Sequence, residues 1–178
     1  IDIFMKKFLL PIIIVMVLAS CTKKSQEDTY ADGYKPVYIS KELAFVISSN
    51  GPKAFTSPGK MFLYQNFIYI TDNGTGVHII DNSDPVNPVK LAFISIPGVR
   101  DVVVKNNILL ADNFTDLISL DVSDVANIQF KKRLQDIYPM ENQLYPDFAT
   151  GSFECADTSY GYVLTWERAT LKNPKCYR

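Results

Sequence analysis

The sequence predicts an all-β fold of antiparallel four-stranded blades, two of them clear, arranged as a partial or open β-propeller-like repeat. Three observations carry the prediction. The chain repeats at an offset of 40: residues 66–87 and 106–127 share nine identities without a gap, among them Asn66 and Asn106, Asp72 and Asp112, Asp81 and Asp121, and Asp84 and Asp124. Each repeat alternates short runs of β-branched and aromatic residues with turn residues, Asn and Asp in both and Gly and Pro in the first, the pattern of strands joined by tight turns. The composition is that of an ordinary globular chain: 178 residues, 47% hydrophobic, with 18 basic and 19 acidic side chains. A net charge of −1 provides no sequence-wide basic field, so no nucleic-acid partner is expected. One His and three Cys are too few for a His-rich zinc site or a four-cysteine cluster. No metal or cofactor is expected.

At the amino terminus, residues 5–21 (MKKFLLPIIIVMVLASC) place two lysines before an apolar run and small residues before a Cys, the layout of a secretory signal. At about 1.5 Å per helical residue the run is short for a hydrocarbon core of roughly 30 Å. Leu18, Ala19, Ser20 and Cys21 resemble the lipobox of bacterial lipoproteins, which implies lipidation of Cys21 and a membrane partner through that anchor. An ordinary cleaved signal, with Cys21 merely following Ser20, is the competing layout. Residues 1–21 are therefore read as the signal, with Met5 as the natural start. Residues 22–33 are polar almost throughout and read as a flexible tether, leaving residues 34–178 for the folded domain. Gln26, Glu27 and Asp28 resemble the acidic stretch that sends some Bacteroidetes lipoproteins to the cell surface, and a solvated linker explains them equally well. The expected address is the outer membrane, on its periplasmic or cell-surface face.

Ser40 to Leu43 open an apolar stretch in a way that caps one or two helical turns, because a Ser oxygen accepts from a free first-turn amide. The first unit, about 58–98, then reads as four strands: Lys60–Gln65, Ile68–Asp72, Val77–Asp81 and Val89–Ser95. Asn66 with Phe67, and Asn73 to Gly76, are its tight turns, since Asn and Gly tolerate positive φ. The second unit, about 99–138, repeats this near Asp101–Lys105, Ile108–Asp112, Leu117–Asp121 and Ile128–Leu134. In the carboxy-terminal segment, 148–178, Tyr160–Glu167 is β-rich and is expected to pair with a strand near Ser152–Ala156.

VHIIDNSDPVNP (77–88) and LISLDVSDVANI (117–128) resemble the LVIVD repeat, an apolar strand ending in Asp followed by Ser, Asp and often Pro. The stretch from Tyr34 to Asp124 and the closing GYVLTWERATLKNPKCYR are similar to exported Bacteroidetes lipoproteins that carry such repeats. The resemblance implies propeller-like architecture and carries over no activity residue by residue. Val125 and Ile128 replace the two prolines of the first unit, which implies a looser loop. Two units are fewer than the four blades a closed propeller needs. Degenerate strands at 36–55 and 148–171, a fragment of a longer chain, or several chains completing one ring would each resolve the shortfall. The missing Met at position 1 and the stop at Arg178 favour a fragment, and association has the least support in the sequence.

Cys155 and Cys176 remain once Cys21 is lipidated, and an exported chain with two thiols invites a disulfide. A catalytic Cys would need a His, and His78 is the one present. It lies between Val77 and Ile79 in a strand, so it should point away from them, solvated or half-packed. The repeated Asp residues suggest calcium ligands, but recurrence at the same places fits carboxylates that bond turn amides better. The candidate binding loops are Asn73, Gly74, Thr75 and Gly76, then Asn82 and Asp84, then Asn113, Phe114 and Asp116, since repeat folds bind through loops. No phosphate loop, GxSxG elbow or HExxH pair occurs. The expectation is a lipid-anchored binding or scaffolding module with a protein or glycan partner and no catalytic residues. The alternative is a fragment of an exported propeller hydrolase or lyase whose active site lies outside this chain.

Overall fold

A computed structural model describes residues 27–146 and 149–178, so the signal, the lipobox and Cys21 lie outside the described residues. Strands make up 51% of the structure and helix 3%. In chain order they are β1 (Tyr30–Ile39), β2 (Ser48–Asn50), β3 (Pro58–Tyr64), β4 (Phe67–Asp72), β5 (Gly76–Asp81), β6 (Val89–Ser95), β7 (Val102–Lys105), β8 (Ile108–Asn113), β9 (Asp116–Asp121), β10 (Gln129–Leu134), β11 (Ser152–Phe153), β12 (Tyr162–Lys172) and β13 (Cys176–Tyr177). They form three separate sheets, none closed: unit 1 in the order β2-β6-β5-β4-β3, unit 2 in the order β10-β9-β8-β7, and a third sheet β12-β1-β11-β13.

Within the units the strand ends fall within two residues of the sequence expectation, because the turn chemistry marks them. The alignment of the units is less simple than the identities imply. The β4–β5 turn has three residues, 73–75, whereas the β8–β9 turn has two, 114–115, so Asp72 pairs with Gly76 but Asn113 pairs with Asp116. The earlier turn is Gln65–Asn66, not Asn66–Phe67, and its counterpart is Asn106–Asn107. Gln65, Asn106 and Asn107 all take positive φ there. β8 is therefore displaced one residue against β4, and Asn113, not Asp112, stands where Asp72 stands in unit 1.

Alternation in each strand gives each unit two faces. The front face of unit 1, with Tyr69, Val77, Ile79, Ala92 and Ile94, packs against the back face of unit 2, with Val102, Val104, Leu109, Ala111, Ile118 and Leu120. This is the main core. A smaller core in the third sheet joins Phe153, Val163 and Trp166, with Tyr34, Tyr38 and Tyr145 against them. Trp166 meets Phe153 edge-on at 5.6 Å.

Three expectations are corrected. The tether to residue 33 is too long: β1 begins at Tyr30 because β12 offers a full antiparallel edge from Lys172 to Tyr162. Even Asp28 is engaged, with its carboxylate 2.6 Å from Lys172 Nζ, and the Thr29 amide donates to Asn173 Oδ1 at 2.8 Å. The partner of the Tyr160–Glu167 run is β1, since β11 pairs with β1 and β13 instead. Residues 41–45 form turns rather than helix, with the Ala44 amide donating to Ser40 O at 3.0 Å.

Candidate functional site

Two aspartates, Asp72 fully buried and Asp112 half-buried, organise one end of the units. Asp72, at the end of β4, accepts the amides of Thr56 and Ser57, which lead into β3. Asp112 accepts the amides of Arg100 and Asp101, which lead into β7, at 2.9 and 2.8 Å. The one-residue displacement leaves this function in place while changing the face that supplies it. Burial pushes the Asp72 carboxyl up, but amide donation and the His78 contact outweigh it, so Asp72 titrates below the ordinary carboxylate range. Burial prevails at Asp112 and raises it.

His78 is fully buried, not solvated. It does point away from Val77 and Ile79, but that side is roofed by residues 53–57: Phe55 lies 4.3 Å from the imidazole and Phe93 4.7 Å on the sheet. Its Nε2 is 3.3 Å from Asp72 Oδ2, and its Nδ1 has no partner among the described residues. On unit 2 Arg133 replaces Phe93, donating to Asn113 Oδ1, Asp116 Oδ2 and the Phe45 carbonyl. Ala44 and Phe45 roof this side as Phe55 does in unit 1, and Asn113 donates to the Ala44 and Pro97 carbonyls.

Across this end of the units runs β12. Gly74 has φ +76°, and a Cβ there would stand 2.2 Å from Leu164 O, so only glycine lets the β12 backbone approach. The Phe114 ring occupies the corresponding turn in unit 2, at φ +57°, and packs on Phe45 and Tyr162 at 6.3 and 4.7 Å. Gly98 makes room for that ring, since a Cβ would come 2.5 Å from it.

Between the unit ends and β12 lies a cleft of about 1050 Å³. Unit 1 contributes Lys60, Asn73 and Gly74; unit 2 contributes Asp101, Asp112 and Phe114. β12 supplies Thr165 and Trp166, and the rim carries Tyr138, Tyr145 and Arg178. The Lys60 ammonium binds the Asp101 carboxylate and ties the units together at the mouth. The Arg178 guanidinium stacks on Tyr145 at 4.1 Å. Aromatic surface beside charged and amide groups suits a ligand that is part apolar and part hydrogen-bonding.

Of the candidate binding residues, the fold brings Asn73, Gly74 and Phe114 to this cleft. Thr75 turns its hydroxyl onto the Asp72 carbonyl, and Gly76 is buried in the β5–β6 ladder. Asn113 and Asp116 are buried in the Arg133 network and have structural roles. Asn82 and Asp84 lie at the opposite end of β5, where Asp84 Oδ1 accepts the Val86 amide. Asp121 likewise binds the Ser123 hydroxyl, its amide and Lys131, which together hold its carboxyl at about 2. Cys155 and Cys176 are joined, with Sγ atoms 2.07 Å apart, clipping β13 beside β11. The cleft residues Lys60, Tyr138, Tyr145, Trp166 and Arg178 carry no spacing signal, because three distant segments assemble them.

The fold is consistent with a propeller-like repeat protein: two antiparallel meanders stacked face to face, with a cleft at one end. The family model of the LVIVD repeat matches residues 60–93, so the chain carries an LVIVD repeat coinciding with most of unit 1. No curated protein and no solved structure matches the chain.

Proposed function

We propose that this chain is an exported, lipid-anchored, propeller-like repeat protein that serves as a binding or scaffolding module at the outer membrane of a Bacteroidetes-type bacterium, with a protein or glycan as its partner. The cleft at the unit ends carries this reading. It is concave and lined by aromatic side chains, with β12 along one side and the turn and loop residues Asn73, Gly74, Phe114, Tyr138 and Tyr145 around it, a mixture of apolar and polar groups that suits a ligand site. The Asp112 carboxylate within it is already engaged by two backbone amides, which favours binding over proton transfer. The lipobox-like Leu18 to Cys21 supports the anchor.

Trp166 is the single tryptophan, so its emission reports on the cleft directly. Titration with outer-membrane glycans and periplasmic extracts should shift that emission, and Asn73→Ala with Tyr145→Ala should abolish the shift. Emission that stays constant for every ligand captured by the immobilised protein would remove the cleft from the mechanism. For the anchor, Cys21→Ala should move the protein from the membrane to the soluble fraction, and unchanged membrane association would refute lipidation.

A further inference from the structure

The front face of unit 1 mates with the back face of unit 2, and this defines which faces of the repeat are complementary. Each unit has one further face. On the back of unit 1, Met61 and Leu63 are 65% and 61% exposed, whereas their counterparts Val102 and Val104 on unit 2 are 4% and 3% exposed beneath unit 1. On the front of unit 2, Val103 and Leu134 are 42% and 41% exposed, with Ile108, Leu110 and Leu117 half-buried between them. The equivalents of Leu117 and Leu134 on unit 1, Val77 and Ile94, are fully buried.

We infer that these two open faces bind each other between copies of this chain, the front of unit 2 of one protomer receiving the back of unit 1 of the next. Within one chain they lie on opposite sides of the two-unit stack and cannot meet, whereas a second copy carries the complementary face for each. The residue 53–57 roof over His78 does not obstruct the contact. Unit 2 carries the corresponding roof, Ala44 and Phe45, at the same end of its own back face, and unit 1 docks there regardless. Ser119, Lys105 and Lys132 stand on the front of unit 2 where unit 1 has Ile79, Tyr64 and Ala92. The intermolecular contact is therefore more polar than the internal one and reversible, as befits a surface that also meets water. Two unlike patches make a head-to-tail contact, which closes into a ring or extends as a chain.

The test is the mass of the detergent-solubilised full chain by sedimentation, over a range of protein concentrations. The expected result is concentration-dependent association. Met61→Glu with Leu63→Glu removes one patch, and Val103→Glu with Leu134→Glu the other. Each should weaken association by about tenfold or more. Mixing the two variants should restore a complex of two chains, because one intact front and one intact back remain. A cooperative melt for each variant checks folding, and either variant suffices if the other fails it. A wild-type chain that stays monomeric would overturn the proposal, pointing to further repeats of a longer chain as the occupant. Association that both variants leave unchanged would overturn it equally.

Discussion

Unit 1 and unit 2 grow from one sequence repeat, yet their buried polar networks differ in composition. On the back of unit 1, Asp72 faces His78 beneath Phe55; on unit 2, Asn113 faces Ile118 and is held by Arg133 beneath Phe45. Each unit contains an aspartate that accepts the two amides leading into its inner strand. What the repeat preserves is thus a hydrogen-bonding task, the capping of inner-strand amides, rather than a side chain at a fixed place on a face. A one-residue change in turn length moved the strand, and the partners moved with it: Asp112 stands where Thr71 stands in unit 1, and it accepts the Asp101 amide as Thr71 accepts the Lys60 amide.

The sharpest way to break the comparison is at the two turns that meet β12. Phe114→Ala should cost about 4 kcal/mol, because the ring fills the space between Gly98, Phe45 and Tyr162. Phe114→Gly should cost about 1 kcal/mol less than the alanine variant, since φ there is positive. Equal losses in denaturant titrations would show that backbone strain is not part of the unit 2 turn. Cys155→Ser should follow in size at about 3 kcal/mol, the chain-entropy value for a separation of 21 residues. Its effect should be confined to the third sheet, with hydrogen exchange in β4, β5, β8 and β9 unchanged.

Asp72→Asn should cost about 2 kcal/mol, because Asn replaces only one of two accepting oxygens and His78 loses its charged neighbour. Adding His78→Ile recreates the unit 2 pair. The double variant should therefore be less destabilised than the sum of the singles, and strict additivity in a double-mutant cycle would show that the pair is not coupled. The smallest effect is in pH dependence, where the two aspartates act in opposite directions. Asp72 is lowered, so its contribution is present above its unfolded value and is lost as pH falls through the native one. Asp112 is raised, so its ionised form is a cost that is relieved as pH falls through its native value. In melts from about pH 7 to about pH 3, Asp72→Asn should flatten the acid loss and Asp112→Asn should remove the partial relief at milder pH.

Much of the architecture is legible in the sequence because Asn and Asp punctuate both repeats at the strand ends, joined by Gly and Pro in the first. The displacement of β8 is not legible, since the identities at Asp72 and Asp112 survive it. His78 is misjudged from its strand alone because its cover, Phe55, comes from a loop 23 residues earlier in the chain, and alternation says which side a residue faces, not what lies over it. β1 is missed at its start because a polar segment becomes a strand when a partner edge is offered, and that edge comes from the far end of the chain. The cleft is hidden for the same reason: Lys60, Asp112 and Trp166 come together only once three sheets have assembled.

The pairing of β1 with β12 also sets an order of events in time. Tyr30 and Lys172 stand near opposite ends of the described chain, so their strands pair only when nearly all of it is available to fold. The two repeat sheets can form early from neighbouring strands, whereas the third sheet waits for a loop closure spanning them both, the slow kind of step in a β-rich chain. A folding trace should accordingly show the buried hairpins of the units protected first and Trp166 last. Until then the long edges of β1 and β12 stand open, which makes this interval the one in which the chain most needs a chaperone.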